Sequence, residues 1–251
     1  MTFAIATEQG SPISLRVRLI SSVAVALLVG VAFIPRDPDI FYAPQMAERP
    51  VILPDGARLY VQKYEVTVTE WNRCHADGAC TLALQVPANR DATTQPATGL
   101  SYTDVSEYLR WINAQSDATF RLPSLHEWEF MAAPVLPPEP DPIFTDPELT
   151  WASAYLVEPQ TKRTLRPQGS FATTNEGIVD LNGSVWEWTQ DCYAGASDGE
   201  ITPDRCPAFF VGGEHVAAMS YLVRDPARGG CAVGTPPAHL GLRLVSDRPV
   251  N

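Results

Sequence analysis

The stretch 177-GIVDLNGSVWEWTQD-191 sets Trp186 and Trp188 on either side of Glu187, just after an Asn182-Gly183 turn. In an extended segment, residues two apart face the same side. Both rings then enter one core, and Glu187 points the other way. An indole of this kind buries about 150–250 Å², so Trp186 and Trp188 read as structural anchors. The carboxylate between them has two readings. It binds a metal, or it pairs with a buried guanidinium such as Arg243.

The rest of the composition narrows the class. The chain has 251 residues, with 29 acids against 18 bases and a formal net charge of −11. That is long enough for a substantial core. Nucleic acid rewards basic patches, so it is excluded as a partner. An acidic surface is compatible with calcium, which takes oxygen ligands. With 23 prolines and 16 glycines, the chain should hold many turns and little long regular structure.

Arg16 and Arg18 precede the apolar run "LISSVAVALLVGVAFI" at 19–34. The run is short for a span and long for a signal h-region. We read 1–18 as a cytoplasmic N-terminus and 19–34 as an uncleaved signal anchor, a transmembrane segment of the inner membrane. The bulk of the chain then faces the periplasm. The alternative is a cleaved signal peptide and secretion to the periplasm. Residues 35–50 are a Pro-rich linker, and 51–251 form the globular domain. Five cysteines suit an oxidising compartment. The spacing predicts local disulfides Cys74–Cys80 and Cys192–Cys206, with Cys231 left over. Other pairings stay open, and neither spacing is a zinc pattern.

Three helix starts stand out. Thr67-Val68-Thr69-Glu70 is a capping box and predicts a helix over about 68–75. Ser101-Tyr102-Thr103-Asp104 opens a second, with Val105, Tyr108, Leu109 and Ile112 at helical spacing. Ser124-Leu125-His126-Glu127 opens a third, to about Ala133. Strand candidates are "ARLYVQKYEVTV" (57–68), "GIVDL", "AFFVGG" and "LGLRLVSD". Short early helices and short late strands make an α+β domain with much irregular loop.

The order of five motifs carries a resemblance. They are "YEVTVTEW" (64–71), "GLSYTDVSEYLRWIN" (99–113), "FRLPSLHEWEFMAA" (120–133), "GIVDLNGSVWEWTQD" (177–191) and "LGLRLV" (240–245). Together they resemble the formylglycine-generating enzyme, or sulfatase-modifying factor, family, across roughly residues 50 to 248. The resemblance implies the C-type-lectin-like fold of that family. It also implies a calcium loop formed by Asp180, the Gly183 and Val185 carbonyls, and Glu187, so the expected cofactor is Ca²⁺.

Formylglycine formation in the family resembles a copper and oxygen chemistry on two cysteines, five residues apart, shortly after a Gly-Gly segment. Here that segment is Gly212-Gly213-Glu214, and counting on without gaps places the pair at Ala217 and Leu222. Cu(I) selects soft sulfur ligands, which these side chains lack. The resemblance therefore implies a member without formylglycine-generating activity, a pseudoenzyme, with no copper expected. Iron is not expected either. Among His75, His126, His215 and His239 there is no 2-His-1-carboxylate spacing. His126 reads as a helix-surface residue. His215 and His239, with Met219 or Cys231, are the alternative soft-metal cluster. Glu214, His215 and Arg224 are candidate groove residues, and Arg243 is a structural, buried arginine.

Two functions follow. The first is a membrane-anchored accessory domain that binds a protein partner in the membrane or periplasm. The second is an oxidoreductase or maturation factor of the same superfamily with another ligand set. A carbohydrate-binding lectin rests on fold analogy alone.

Overall fold

Each helix begins where a hydroxyl and an acid three residues later close a reciprocal pair of hydrogen bonds. In the computed structural model, which describes residues 43–138, 164–193, 206–226 and 238–250, helix α1 runs Val68–Ala76, α2 Tyr102–Gln115 and α3 Leu125–Ala132. Thr67, Ser101 and Ser124 cap them, and Glu70, Asp104 and Glu127 return the bond to the cap's own N–H. All three starts are those expected from the capping boxes. The 19–34 segment and Cys231 lie outside the described residues. Among the described residues, no helix is long and apolar enough to cross a membrane.

The strands are short, as the Gly and Pro content requires. β1 (Val51–Ile52), β2 (Arg58–Val61) and β7 (Val245–Ser246) form one antiparallel sheet in the order β1-β2-β7. β3 (Trp186–Tyr193), β4 (Ala208–Gly212), β5 (Val216–Ser220) and β6 (Leu240–Gly241) form a second in the order β5-β4-β3-β6. β3 pairs antiparallel with β4, placing Glu187 opposite Gly212 and Trp188 opposite Val211. On its other edge β3 runs parallel to β6.

Some expected strands are absent. "GIVDL" forms no strand beyond an isolated Thr173–Val179 bridge, because Asp180 adopts a left-handed conformation (φ 68°) that breaks the extended run. The turn expected at Asn182-Gly183 begins earlier. Gly183 N–H donates to the Asp180 carbonyl at 2.8 Å, so the turn is 180–183. Gly183 is needed there for space, since a Cβ would stand 2.7 Å from the Asp180 oxygen. The two-residue strands β6 and β7 replace the continuous strand expected over 240–247. Between them Arg243 turns inward.

Two apolar cores lie on opposite faces of β3. Trp186 and Trp188 join Trp71, Tyr108, Leu240 and others in the larger one. Trp128, Met131, Leu59, Ile178 and Val245 form the smaller. The Trp71 and Trp188 indole N–H groups find acceptors, as buried indoles usually do. Trp71 donates to the Leu82 carbonyl (2.7 Å) and Trp188 to that of Leu100 (2.8 Å). Both disulfides form as expected, Cys74–Cys80 and Cys192–Cys206, with Cα separations of 5.3 and 5.8 Å.

Gly212 and Gly213 let indole rings lie flat on the backbone. A Cβ at Gly212 would fall 2.2 Å from the Trp128 ring, and one at Gly213 would fall 2.3 Å from Trp186. Gly212→Ala and Gly213→Ala should each cost about 3 kcal/mol, the upper part of the overpacking range. At Gly56 nothing stands within 4 Å of a Cβ, so Gly56→Ala should cost only the left-handed φ, about 1–2 kcal/mol. Denaturant midpoints of the three variants measure the difference.

Candidate functional site

Glu187 does point away from the tryptophans, but not into water. It is 1% exposed and meets Arg243, which is 0% exposed. Arg243 Nε donates to Glu187 Oε1 and Oε2 at 3.0 and 3.2 Å, and Nη2 donates to Oε1 at 2.8 Å. Trp128 Nε1 donates to Glu187 Oε2 at 2.9 Å. The remaining guanidinium donors go to backbone carbonyls: Nη1 to Gln62 and Lys63 (3.1 and 2.7 Å), and Nη2 to Val179 (2.9 Å). A buried ion pair is favourable only when its other donors and acceptors are satisfied, and here they are. Of the two sequence readings of Glu187, the structure has the ion pair.

Asp180 is held separately. Its carboxylate accepts from Gly169 N (2.5 Å) and Phe171 N (2.7 Å), while Asn182 Oδ1 accepts from Ala172 N. The turn therefore binds the 169–172 backbone. The four expected calcium ligands, Asp180, Gly183, Val185 and Glu187, all lie on the 180–187 segment, where their two carboxylates already have partners. N–H donors occupy both carboxylates, and a cation at Glu187 would abut the guanidinium. Among the described residues, no group of three or more His, Cys, Asp or Glu is placed to hold a metal.

A third acid, to which the sequence reading gave no role, joins the cluster. Glu65 is 2% exposed, its Oε2 lies 3.7 Å from Arg243 Nη2, and that oxygen has no hydrogen-bond partner among the described residues. Burial, and then the negative charges of Glu187 and Asp180, push its carboxyl up to about 8 against the pull of Arg243. Its position in "YEVTV" gave one usable signal, an acid flanked by apolar residues in a run that must be buried.

The β4–β5 hairpin and the turn after it carry Ala217 and Leu222, the positions that ungapped counting from Gly212-Gly213 gives for the cysteine pair. Ala217 is fully buried in β5 opposite Val211. Leu222 lies beyond the strand, 63% exposed, beside Tyr221 at 40%. His215 packs edge-on against Trp186, with ring centroids 4.4 Å apart. Met219 is in the larger core, the His239 backbone carbonyl accepts from Trp186 N, and Glu214 and His126 are exposed. Arg224, a candidate groove residue, clasps Asp104. Nε and Nη2 reach its two oxygens at 2.7 and 2.6 Å. Burial alone would raise the Asp104 carboxyl, but hydrogen bonds from Arg224 and Ser101 outweigh it and hold the group below the usual range. Arg121 plays the same part at α3, bridging Glu127 and Asp247.

A mixed α/β scaffold with few helices, two small sheets and a Trp-Glu-Trp strand pinned to a Gly-Leu-Arg segment defines the class. Residues 45–248 match the sulfatase-modifying factor enzyme 1-like domain, and the chain belongs to that family. It is 25% identical over 252 residues to the formylglycine-generating enzyme of Mycobacterium tuberculosis (strain ATCC 25618 / H37Rv), covering 87% of this chain and 80% of that protein. Similar solved structures include PvdO from Pseudomonas aeruginosa (17% identity, 80% of this chain and 90% of that one, TM-score 0.48). Treponema denticola variable protein 1 is another (14%, 83% and 93%, 0.46), as is CarF (16%, 84% and 95%, 0.45).

Arg243→Met should destabilise the domain by about 3–5 kcal/mol, because it leaves Glu187 buried without its partner. Chelation with EDTA should leave the wild-type melting temperature unchanged, and added calcium should not raise it. Glu65 carries a pH signature. Its folded pKa, raised to about 8 from 4.5, means the native state holds a proton that the unfolded chain has released. Stability from this group is full below about pH 4.5 and is lost as pH rises through about 8. Glu65→Gln should flatten that decline and melt higher than wild type at pH 8.5.

Proposed function

We propose that this protein is a non-catalytic member of the family that acts as an accessory, protein-binding subunit. It would be anchored in the inner membrane through residues 19–34 and face the periplasm. We read its fold as the C-type-lectin-like variant of the family. The observation that carries the reading is the pair Ala217 and Leu222. At the positions of the two reactive thiols, one side chain is a buried methyl and the other an exposed isobutyl group. Neither forms a thiolate or a disulfide, and neither binds Cu(I). The cysteine chemistry that the family resemblance implies therefore has no nucleophile here.

The surface at that place supports contact with a protein. Tyr221 and Leu222 stand next to each other, both exposed. Arg224 fixes the segment that follows onto the start of α2. Large apolar side chains on a held loop are suited to burial by a partner.

The test is purification of the tagged full chain from membranes in mild detergent. The expected result is a stoichiometric second protein and no stoichiometric copper or iron by metal analysis. A sulfatase-type cysteine peptide incubated with the protein should show no conversion to the aldehyde by mass spectrometry. Leu222→Asp should strip the second protein away while leaving the melting temperature within about 1 °C, since an exposed substitution costs little. A chain that emerges alone and monomeric, or loaded with copper or iron, would overturn the reading.

A further inference from the structure

Two adjoining hollows, of about 300 and 240 Å³, share Arg90, Gln95 and Leu165 in their walls. One is mostly apolar, with Val68, Leu84, Val86 and Pro96 around it. The other is polar, with Asn89, Thr94 and Arg166. None of the lining residues belongs to the β4–β5 hairpin, so the site is separate from the Ala217 and Leu222 positions and does not depend on the accessory reading.

Gln95 sits at the junction and is 4% exposed. Its backbone is fixed on both sides, N–H to the Asp91 carbonyl (3.0 Å) and C=O from Val68 N (2.9 Å). Its side-chain Oε1 accepts from Arg90 Nη1 at 3.1 Å, and the same Nη1 donates to the Leu165 carbonyl at 2.7 Å. The amide cannot be turned over, because that would set an NH₂ against the guanidinium. Nε2 is thereby forced to the far side, where it is buried and has no hydrogen-bond partner among the described residues. A buried amide donor left unpaired costs its full desolvation. Nothing in the fold requires this cost, and a ligand oxygen in the shared wall would remove it.

The charge of the polar hollow sets the ligand's sign. Arg90 and Arg166 stand there on a chain whose formal net charge is −11. Arg90 engages only Nη1 in the bonds above, and a guanidinium has five N–H donors. The one acid in the wall, Asp91, is turned onto its own loop, accepting from Thr93 N and Oγ1 at 2.9 and 2.7 Å. We propose that the paired hollows form a binding site for a peptide C-terminus with an apolar last residue. The carboxylate accepts a hydrogen bond from Gln95 Nε2 and faces Arg90 and Arg166, and the last side chain fills the hollow between Val68, Leu84 and Pro96.

The probe is a fluorescein-labelled hexapeptide ending in Ala-Leu with a free carboxylate, titrated with the full chain by fluorescence anisotropy. Saturable binding is expected, and the same peptide amidated at its C-terminus should bind about tenfold more weakly, one charged hydrogen bond's worth. Gln95→Glu keeps the acceptor for Arg90 but opposes the ligand charge, and should weaken binding at least as much. Should Gln95→Glu lower the melting temperature, Arg166→Ala, at an exposed side chain, provides the second arm and should weaken the free acid but not the amide. The absence of saturation up to about 1 mM peptide, or equal binding of acid and amide, would overturn the proposal.

Discussion

Arg243 lies where no water reaches it, and a charge so placed must be matched or the fold fails. Glu187 supplies the opposite charge, and the Gln62, Lys63 and Val179 carbonyls absorb the remaining donors. These partners belong to separate parts of the chain: the end of β2, the segment before the 180–183 turn, and β3. The guanidinium therefore performs at one point the joining that a longer sheet would spread over many ladder bonds. Trp128 adds α3 to the same carboxylate. Short strands and abundant loop are tolerable in this fold because one buried group ties the loops together.

The division of the molecule into two cores follows from that arrangement. A strand with alternating apolar and charged residues ordinarily turns its charged side to solvent. β3 is covered on both faces, by the larger core over the indoles and by the smaller core around Glu187. The acid is acceptable inside because its partner arrives from the segment between β6 and β7. The excess of acids around that partner, Glu65 and Asp180 as well as Glu187, is handled differently at each. Asp180 is enclosed by backbone N–H groups. Glu65 is instead driven towards its neutral form.

The local parts of this structure were legible in the sequence and the long-range parts were not. The capping boxes at Thr67, Ser101 and Ser124 involve residues three apart, so they could be read directly. The two disulfides close short loops and were equally accessible. The orientation of Trp186, Glu187 and Trp188 followed from strand alternation. By contrast, the Asp180 backbone angle is imposed by contacts with residues 169–172, which no periodicity reveals. Arg224 shows the same limit: its partner Asp104 is remote in sequence, so nothing local pointed to the ion pair. Gln95 was invisible for a further reason. An unpaired amide is a property of the surrounding wall, and only coordinates show the wall.

Gly212 and Gly213 extend this picture to the way such a sequence can change. Each glycine is the floor beneath one indole, Trp128 for the first and Trp186 for the second. A side chain on the floor and a large ring above it exclude one another, so neither partner can vary while the other stays. Over descent, ring and glycine should be kept or lost as couples, across gaps of more than eighty residues for one pair and under thirty for the other. Two motifs that look independent on the page are, sterically, halves of single units. Such coupling ties short motifs together in a fixed order while leaving the length and sequence of the loops between them unconstrained by these contacts.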